Sequence, residues 1–358
     1  MKYRLNTFYA RTNHDSETTI VIDLNMKDIV SNIVIGLETV NATDDIIEHA
    51  MAIIKKIELI DGSDVLYSLD GYQAEALDWY NRGGKFRANW NWCLIGMNVS
   101  RFIGVNFGRW LWDKEYAFDP NRFTNPQLRI TVDPDAGVNT PSSVYITCWA
   151  NMFESSPVGL KGFLMSKEIK EYAVTADAHE YTDLPLDYPY RALYFQPFVR
   201  GTESHQCIKN LKISEDQDKR IPYNHGITDI INTIAAEYGR VEESYIMPAT
   251  AAGVYLYITP TTHVTAVGVG WGDPAVATGV ACYNGDGGRL DVDSVTVNAN
   301  IQVHVKGDIP HAVFEIPFGL KNEPEDWYDV RGLGTLRLDI EGGATATGHI
   351  FLQQARNY

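Results

Sequence analysis

The chain has 358 residues, which suits two domains of ordinary size, each able to bury a core of its own. Hydrophobic residues make up 45%, and the 20 Tyr, 13 Phe and 8 Trp supply more buriable area than a disordered polymer carries, which excludes extensive disorder. The formal net charge of −16 opposes tight wrapping of nucleic acid, so genome coating and direct sequence-specific nucleic acid binding are disfavoured.

The first residues carry the one basic bias of the chain. Lys2, Arg4 and Arg11 precede the first acid, Asp15, and we treat residues 1–15 as an N-terminal arm. The arm has two interpretations, a basic segment that reaches a phosphate surface or a frayed, solvated terminus, and the second is favoured. No signal-peptide core and no 18-residue apolar run is found, so we expect a protein made and kept in a cytoplasm.

Cysteine spacing argues against a metal site or a disulfide framework. Because no Cys-x-x-Cys pair and no His at ligand spacing occurs, buried free thiols are the expected state. The four cysteines are Cys93, Cys148, Cys207 and Cys282.

Most segments alternate between apolar and polar residues with period two, which predicts short strands. Helical spacing is rare, and three helices are predicted, over Tyr72–Tyr80, over Ile227–Tyr238 and, most weakly, over Leu160–Ala173. Many strands without a βαβ rhythm indicate an all-β fold built from antiparallel sandwiches.

The two halves repeat a series of landmarks in the same order. Each half has an early strand, a helix about a dozen residues later, a Phe-Gly turn, an acidic aromatic loop and a late strand. The matched segments are Ile54-Lys-Lys-Ile-Glu-Leu with Ile208-Lys-Asn-Leu-Lys-Ile, Val105-Asn-Phe-Gly with Ile316-Pro-Phe-Gly, and Leu128-Arg-Ile-Thr-Val-Asp with Leu336-Arg-Leu-Asp-Ile. The duplication predicts that Ile57 is equivalent to Leu211 and that Leu128 is equivalent to Leu336.

These landmarks divide the chain. We expect the first sandwich, with its connecting helix, at residues 16–180, and the second sandwich at 181–358. The join is expected between Glu171 and Tyr190, where Asp, His and Pro residues accumulate. Residues 244–300 have little counterpart in the first half and predict an insertion of extra strands and long loops.

Three segments carry a resemblance to a known family. They are Ile57-Glu-Leu-Ile-Asp-Gly-Ser, Asn106-Phe-Gly-Arg-Trp-Leu-Trp-Asp and Arg122-Phe-Thr-Asn-Pro-Gln-Leu-Arg-Ile. With the tandem sandwiches, they resemble the double jelly-roll major capsid proteins of tailless icosahedral viruses, including bacteriophages, many of which enclose a membrane. The second half departs from this pattern, because Leu333-Gly-Thr replaces the Asn125-Pro126 strand entry.

The resemblance implies two tandem eight-stranded jelly rolls and a homotrimeric, pseudo-hexagonal capsomer that tiles an icosahedral shell. It further implies contacts with neighbouring capsomers and with minor capsid or penton proteins, and location in a virion assembled in the host cytoplasm. On this interpretation the insertion at 244–300 is an external decoration or an intersubunit clasp. The N-terminal arm would face lipid headgroups or the genome.

A search for chemistry finds no catalytic, cofactor-binding or metal-binding residue set. None of the nine His residues stands two positions from another, which argues against a cupin site, and phosphate-loop, nucleophile-elbow and zinc-helix motifs are absent. Asp286, Asp291 and Asp293, in the run that begins at Asn284, could offer oxygen ligands to Ca²⁺, but a glycine-rich hairpin with solvent-facing acids is favoured.

Four tryptophans, Trp90, Trp92, Trp110 and Trp112, alternate as two pairs. On strands each pair would share one face, either as an exposed sugar-stacking platform or as a surface buried against the neighbouring barrel, and burial is favoured. The sequence therefore predicts a non-enzymatic capsid subunit. The alternative is a secreted two-module carbohydrate-binding or glycoside-active β-sandwich protein.

Overall fold

The structure is a computed structural model that describes residues 2–43, 47–137, 140–155, 157, 159–249, 254–271, 278–282, 285–294 and 299–358. Strands dominate the described chain, and within it no helix has the length and apolar character needed to cross a membrane. Short 3₁₀ helices lie in the connections at Ala50–Ile53, Pro120–Arg122, Pro134–Ala136, Ser204–Cys207 and Pro324–Asp326.

The first half supplies nine strands and one helix. In chain order they are β1 (Tyr3–Asn13), β2 (Thr18–Asp23), β3 (Val30–Val40), β4 (Ile54–Asp61), β5 (Asp64–Leu69), α1 (Gly71–Asn81), β6 (Trp90–Trp92), β7 (Asn98–Asn106), β8 (Pro126–Val132) and β9 (Ser143–Phe153). Eight of these strands form two facing four-stranded sheets, β1-β9-β3-β7 and β2-β8-β4-β5, the second as part of a larger sheet. This is a jelly-roll sandwich.

The second half repeats this order and adds an insertion. Its elements are β10 (Gly162–Val174), β11 (His179–Asp183), β12 (Tyr190–Phe198), β13 (Ile208–Glu215), β14 (Arg220–Gly226), α2 (Ile227–Tyr238), β15 (Val241–Ala249), β16 (Val254–Tyr257), β17 (Pro260–Trp271), β18 (Thr278–Cys282), β19 (Arg289–Ser294), β20 (Ala299–Pro310), β21 (Phe314–Pro317), β22 (Leu336–Gly342) and β23 (Ala346–Asn357). The sheets β10-β23-β12-β21 and β11-β22-β13-β14 match those of the first barrel position by position. The predicted all-β double jelly roll is confirmed.

The two barrels stand side by side in the same direction. β5 of the first barrel pairs in parallel with β10 of the second, with Tyr67 opposite Ser166, and this pairing fuses two four-stranded sheets into one of eight strands. Because the strands within each barrel are antiparallel, the connections that carry α1 and α2 leave from one common end. One hydrophobic core cluster, which includes Ile57 and Leu211, extends through both barrels.

The strand ladders align the two halves residue by residue. β4 and β13 each have a register shift directly after their first residue, Ile54 in one and Ile208 in the other. Counted from this irregularity, Ile57 and Leu211 occupy the same position, and both are buried. The predicted equivalence of these two residues is confirmed.

The predicted match of the late strands is wrong by two residues. Leu128 of β8 lies opposite Leu59, and the corresponding position of β13, Ile213, lies opposite Leu338. The counterpart of Leu128 is therefore Leu338, not Leu336. A slip of two keeps every side chain on its face of the sheet, so hydrophobic alternation alone did not reveal it.

The predicted helix over Leu160–Ala173 is also wrong, because this segment is the strand β10. It lies between β5 and β23 in the fused sheet, and its first five residues are buried on both faces. A strand buried on both faces loses its period-two pattern and reads as a continuous apolar run. β10 belongs to the second barrel, so the barrels join at residues 154–161 rather than between Glu171 and Tyr190.

The expected N-terminal arm is largely a strand of the first barrel. β1 pairs with β9 from Tyr3 to Asn13. Of the described residues in the segment 1–15, only residues 2, 14 and 15 therefore lie outside this ladder. Two of its cations are neutralised within the chain, since Arg4 pairs with Asp28 and Arg11 pairs with Glu38. Arg4 and Arg11 therefore pair with acids of the first barrel instead of forming a free cationic arm.

The two long helices form where the sequence predicts them. Asp70 caps α1 by accepting a hydrogen bond from the backbone N–H of Gln73 (2.7 Å), whose side chain accepts one from the backbone N–H of Asp70 (3.1 Å). α2 ends at Gly239, whose φ of +75° favours glycine. Both helices follow the fifth strand of their barrel, and after α2 the insertion begins.

The insertion is a third, smaller sandwich, which we call the inserted sandwich and define as β15–β20 together with β6. Its sheets are β17-β20-β15-β6 and β16-β19-β18, so the first barrel contributes the edge strand β6. Its own core includes Tyr245, Met247, Leu290, Val292 and Val303. It begins at Val241 and runs beyond the predicted 244–300, to Pro310.

Candidate functional site

The outer face of the larger sheet in the inserted sandwich carries exposed apolar side chains. Alternate residues of a strand share a face, and Val264 and Ala266 of β17 pack against the core. Val267 and Val269 therefore point outward, and they are 65% and 61% exposed. Two rows cross this face, Val267–His304–Ser244–Trp90 and Val269–Gln302–Ile246–Trp92.

The favoured interpretation of the tryptophans as a face buried against the neighbouring barrel does not hold for Trp90 and Trp110. Trp90 is 41% exposed and Trp110 is 49% exposed, whereas Trp92 and Trp112 are half-buried. Trp90 and Trp92 do share one face, on β6, and β6 is an edge strand of its sheet. Trp110 and Trp112 lie in the turn after β7, where Trp112 stacks on Tyr3 with ring centres 4.3 Å apart.

A buried ionic network lies between the first barrel and the inserted sandwich. Arg101 of β7 donates to Glu75 of α1 (2.8 Å) and to Glu243 of β15 (2.7 Å). His311, which follows β20, donates from Nε2 to the second oxygen of Glu75 (2.7 Å), and Tyr245 donates to Glu243 (2.6 Å). All five side chains are buried, so the network connects three parts of the fold through charge-assisted hydrogen bonds.

The electrostatics of this network follow from burial and from Arg101. Burial alone would raise the pKa of Glu75, but Arg101 and His311 hold that pKa below its ordinary value. Burial and the nearby charge of Arg101 hold the pKa of His49 well below its ordinary value, so this neighbouring imidazole is neutral. Arg101 therefore favours the ionised form of the buried Glu75 carboxylate.

Within the residues that the structure describes, two groups of side chains have the composition of a metal site. The first is His49, Glu75 and His311, whose ligand atoms lie within 4.8 Å of one another. His49 Nδ1 already accepts from a backbone N–H and its Nε2 contacts Thr259 (3.2 Å), and the oxygens of Glu75 are engaged by Arg101 and His311. These residues satisfy one another without an ion, so they do not fit a metal well.

The second group, Glu168, Glu171 and His349, is brought together by a bulge in β10. Residues three apart on a regular strand face opposite sides, but the register shift between Glu168 and Lys170 turns both glutamates towards His349. Gln73 donates to Glu168 (2.8 Å), and Lys56 lies 3.9 Å from the same oxygen. A metal ion bound at this position would have to displace the side chains of both Gln73 and Lys56 from Glu168.

The acidic run in the insertion is only partly described. Asn284 lies outside the described residues. Glycines at 287 and 288 have φ values of +63° and +84° and form the turn that leads into β19. The carboxylate of Asp291 accepts two hydrogen bonds from Arg289, at 2.7 and 3.0 Å, so a guanidinium already neutralises it.

The cysteines are thiols. Cys93, Cys148 and Cys207 are buried and Cys282 is half-buried, and each is free. Burial raises the pKa of Cys207 to about 11 and that of Cys148 to about 12, which leaves both as unreactive neutral groups at physiological pH.

Sequence reasoning missed the buried network, since Arg101 and Glu243 are 142 residues apart and neither belongs to a motif. One signal was available. Glu75 lies between two alanines on a helix that also carries Leu77 and Trp79, and a carboxylate on such a face requires a buried cation.

No protein-family model matches the sequence, and no curated protein matches it. Solved structures do match over almost the whole chain. The major capsid protein P2 from bacteriophage PM2 is similar with a TM-score of 0.57 and 11% identity, covering 99% of this chain and 98% of that one. A chain in the atomic structure of Sulfolobus turreted icosahedral virus is similar with a TM-score of 0.60 and 13% identity, covering 99% and 91%.

A chain of the PBCV-1 virus capsid is similar as well, with a TM-score of 0.53 and 9% identity, covering 98% of this chain and 93% of that one. At these identities the likeness is one of fold. The comparisons extend over 98–99% of the chain.

Proposed function

We propose that this chain is the major capsid protein of an icosahedral virus and forms homotrimeric capsomers that tile the shell. The observation that carries the proposal is the whole-chain likeness to viral capsid chains, with 98–99% of the chain covered in each of the three comparisons. A likeness confined to one barrel would support the capsid proposal much less, because single jelly rolls occur in proteins of many functions.

The arrangement of the barrels gives the proposal its physical logic. Two similar barrels stand in the same direction and are fused through β5 and β10. A threefold ring of such subunits has six similar sides, so a single polypeptide can meet neighbours on a near-hexagonal lattice through heterologous contacts. The connections with the helices and the inserted sandwich then lie together at one end of the ring.

In this role the protein is structural rather than catalytic. Its partners are two further copies in the capsomer, neighbouring capsomers, and minor capsid or penton proteins. Its place is the virion, after assembly in the host cytoplasm. The acidic chain, with net charge −16, is suited to contact with proteins more than to contact with nucleic acid.

The experiment that tests the proposal measures mass and shape. Light scattering of the purified chain should give three times the chain mass of 40.2 kDa, and negative-stain images should show a hexagonal outline. A stable monomer would contradict the proposal. A monomer that also bound glycans on an array would favour the carbohydrate-binding alternative, for which the exposed Trp90 would be the first residue to examine.

A further inference from the structure

The larger sheet of the inserted sandwich has exposed apolar residues at its two edges, on β17 at one edge and on β6 and in the turn that follows β6 at the other. The β17 patch consists of Val267 and Val269, which are 65% and 61% exposed. The β6 patch consists of Trp90 on β6 and Met97 in the turn that follows it, which are 41% and 47% exposed. Exposed apolar residues grouped in this way mark interaction surfaces more often than scattered ones do.

The strip between the patches is polar but carries no carboxylate. In the two rows that connect the edges, the residues between the valines and the tryptophans are His304, Ser244, Gln302 and the buried Ile246. The next row holds Glu242 and Lys306, which pair with each other at 2.5 Å.

This neutrality matters because the whole chain has a net charge of −16. Copies of such a chain repel each other over most of their surface, and a face without unpaired carboxylates is where two copies can approach. The charge pattern therefore favours a second copy of this chain over a basic partner, which would seek an acidic face.

The position of β17 at the sheet edge is a second reason to expect a second copy of the chain at this surface. β17 has twelve residues and ends the sheet, and in the described part of the chain β20 is its only ladder partner. A long edge with outward valines is a surface that a lone protein usually shields with charge or a bulge. The register shift of β17 lies between Thr262 and Thr265, before the regularly paired stretch that carries Val267 and Val269, so it does not interrupt this part of the edge.

We propose that the β17 patch of one copy packs against the β6 patch of the next copy in the capsomer. This inference rests on the proposed capsid function and names one of its contacts. Because the patches lie on opposite edges of one sheet, the contact is head-to-tail, and a rotation that closes on itself makes a ring. Trp90 is the expected anchor, since tryptophan is the side chain most enriched at the energetic centre of interfaces.

Charge insertion tests the contact. A V267E/V269E variant and a W90E/M97E variant should each elute as monomers at concentrations where the native chain is a trimer. A V267T/V269T variant, which keeps the side-chain shape, should weaken the trimer in the same direction. Circular dichroism checks the fold of each. The control is Leu320→Glu, which is 58% exposed in the connection between β21 and β22, outside the inserted sandwich, and should leave the trimer intact.

Cross-linking tests the head-to-tail geometry. In a Cys282→Ser background, Val269→Cys combined with Met97→Cys should give a covalent trimer on a denaturing gel with a short bis-maleimide. Variants that carry only one of the two introduced cysteines should run as monomers on the same gel. A covalent dimer from Val269→Cys alone would mean that like patches meet, and the proposal would be overturned.

The outcomes separate the two proposals. A native chain that is monomeric contradicts the capsid proposal itself. A trimeric native chain whose charged variants remain trimeric, or whose Leu320→Glu control dissociates equally, overturns only the contact proposed here.

Discussion

Arg101 of the first barrel and Glu243 of the inserted sandwich form an ion pair at 2.7 Å in which both side chains are fully buried. An isolated buried charge is costly, and removal of one partner leaves the other uncompensated. This pair therefore makes the inserted sandwich and the first barrel depend on each other.

Glu243→Gln should lower the free energy of unfolding by about 3–5 kcal/mol, because Arg101 keeps only Glu75 as an ionised partner. Denaturant titration followed by tryptophan fluorescence measures the change. The matched control is Glu242→Gln on the same strand, whose pair with Lys306 is half exposed to water, and it should cost less than about 1 kcal/mol. Equal losses in the two variants would contradict the role of the buried pair.

The repeat makes a second prediction about equivalent core positions. Ile57→Ala and Leu211→Ala each remove a side chain that is at most 1% exposed, so each should cost about 2–5 kcal/mol. Val21→Ala on β2, where the side chain is 54% exposed, should cost less than about 0.5 kcal/mol. A large loss at Ile57 with a negligible loss at Leu211 would show that the two positions are not equivalent in packing.

The parts of the fold that the sequence predicted are those with a local pattern. β4 and β13 were found because the run Ile54-Lys-Lys-Ile-Glu-Leu is repeated as Ile208-Lys-Asn-Leu-Lys-Ile, each ahead of a helix. α1 and α2 were found from helical spacing, and their ends agree with the capping chemistry of Asp70 and the backbone of Gly239.

What the sequence did not predict depends on contacts between distant residues. β10 has no alternation at its start because the strands beside it and the layers around it bury both faces. The exposure of Trp90 depends on the position of β6 at a sheet edge, which is decided by its parallel pairing with β15 more than 150 residues later. No local propensity encodes such pairings.

The shared sheet predicts that the first barrel does not fold alone. A fragment of residues 1–161 would lose β10, so the edge of β5 would be exposed, and Arg101 and Glu75 would lose Glu243 and His311. We expect the fragment to aggregate or to lack a cooperative thermal transition in circular dichroism, whereas the full chain shows one. A soluble fragment with a sharp transition would show that the barrels are independent.

Stability should also respond to pH through two histidines, in separate ranges. Burial opposes the charged form of His349, but Glu168 raises its pKa above the ordinary value. The stabilisation from His349 is therefore fully present below about pH 6.5 and is lost as the pH rises through the pKa of the folded state. Glu168→Gln should remove this decrease in the free energy of unfolding as the pH rises above about 6.5.

His49 acts in the opposite direction, because burial and Arg101 hold its pKa well below the ordinary value. Below about pH 6.5 the unfolded chain binds a proton at this residue that the folded chain does not, so stability falls as the pH falls. The slope from one proton approaches about 1.4 kcal/mol per pH unit, and it should appear between about pH 6.5 and 5, before most carboxylates titrate. His49→Gln should flatten this slope while His349→Gln leaves it in place, as measured by denaturant titrations at half-unit pH steps. An unchanged slope in His49→Gln would contradict the assignment of this slope to the buried imidazole of His49.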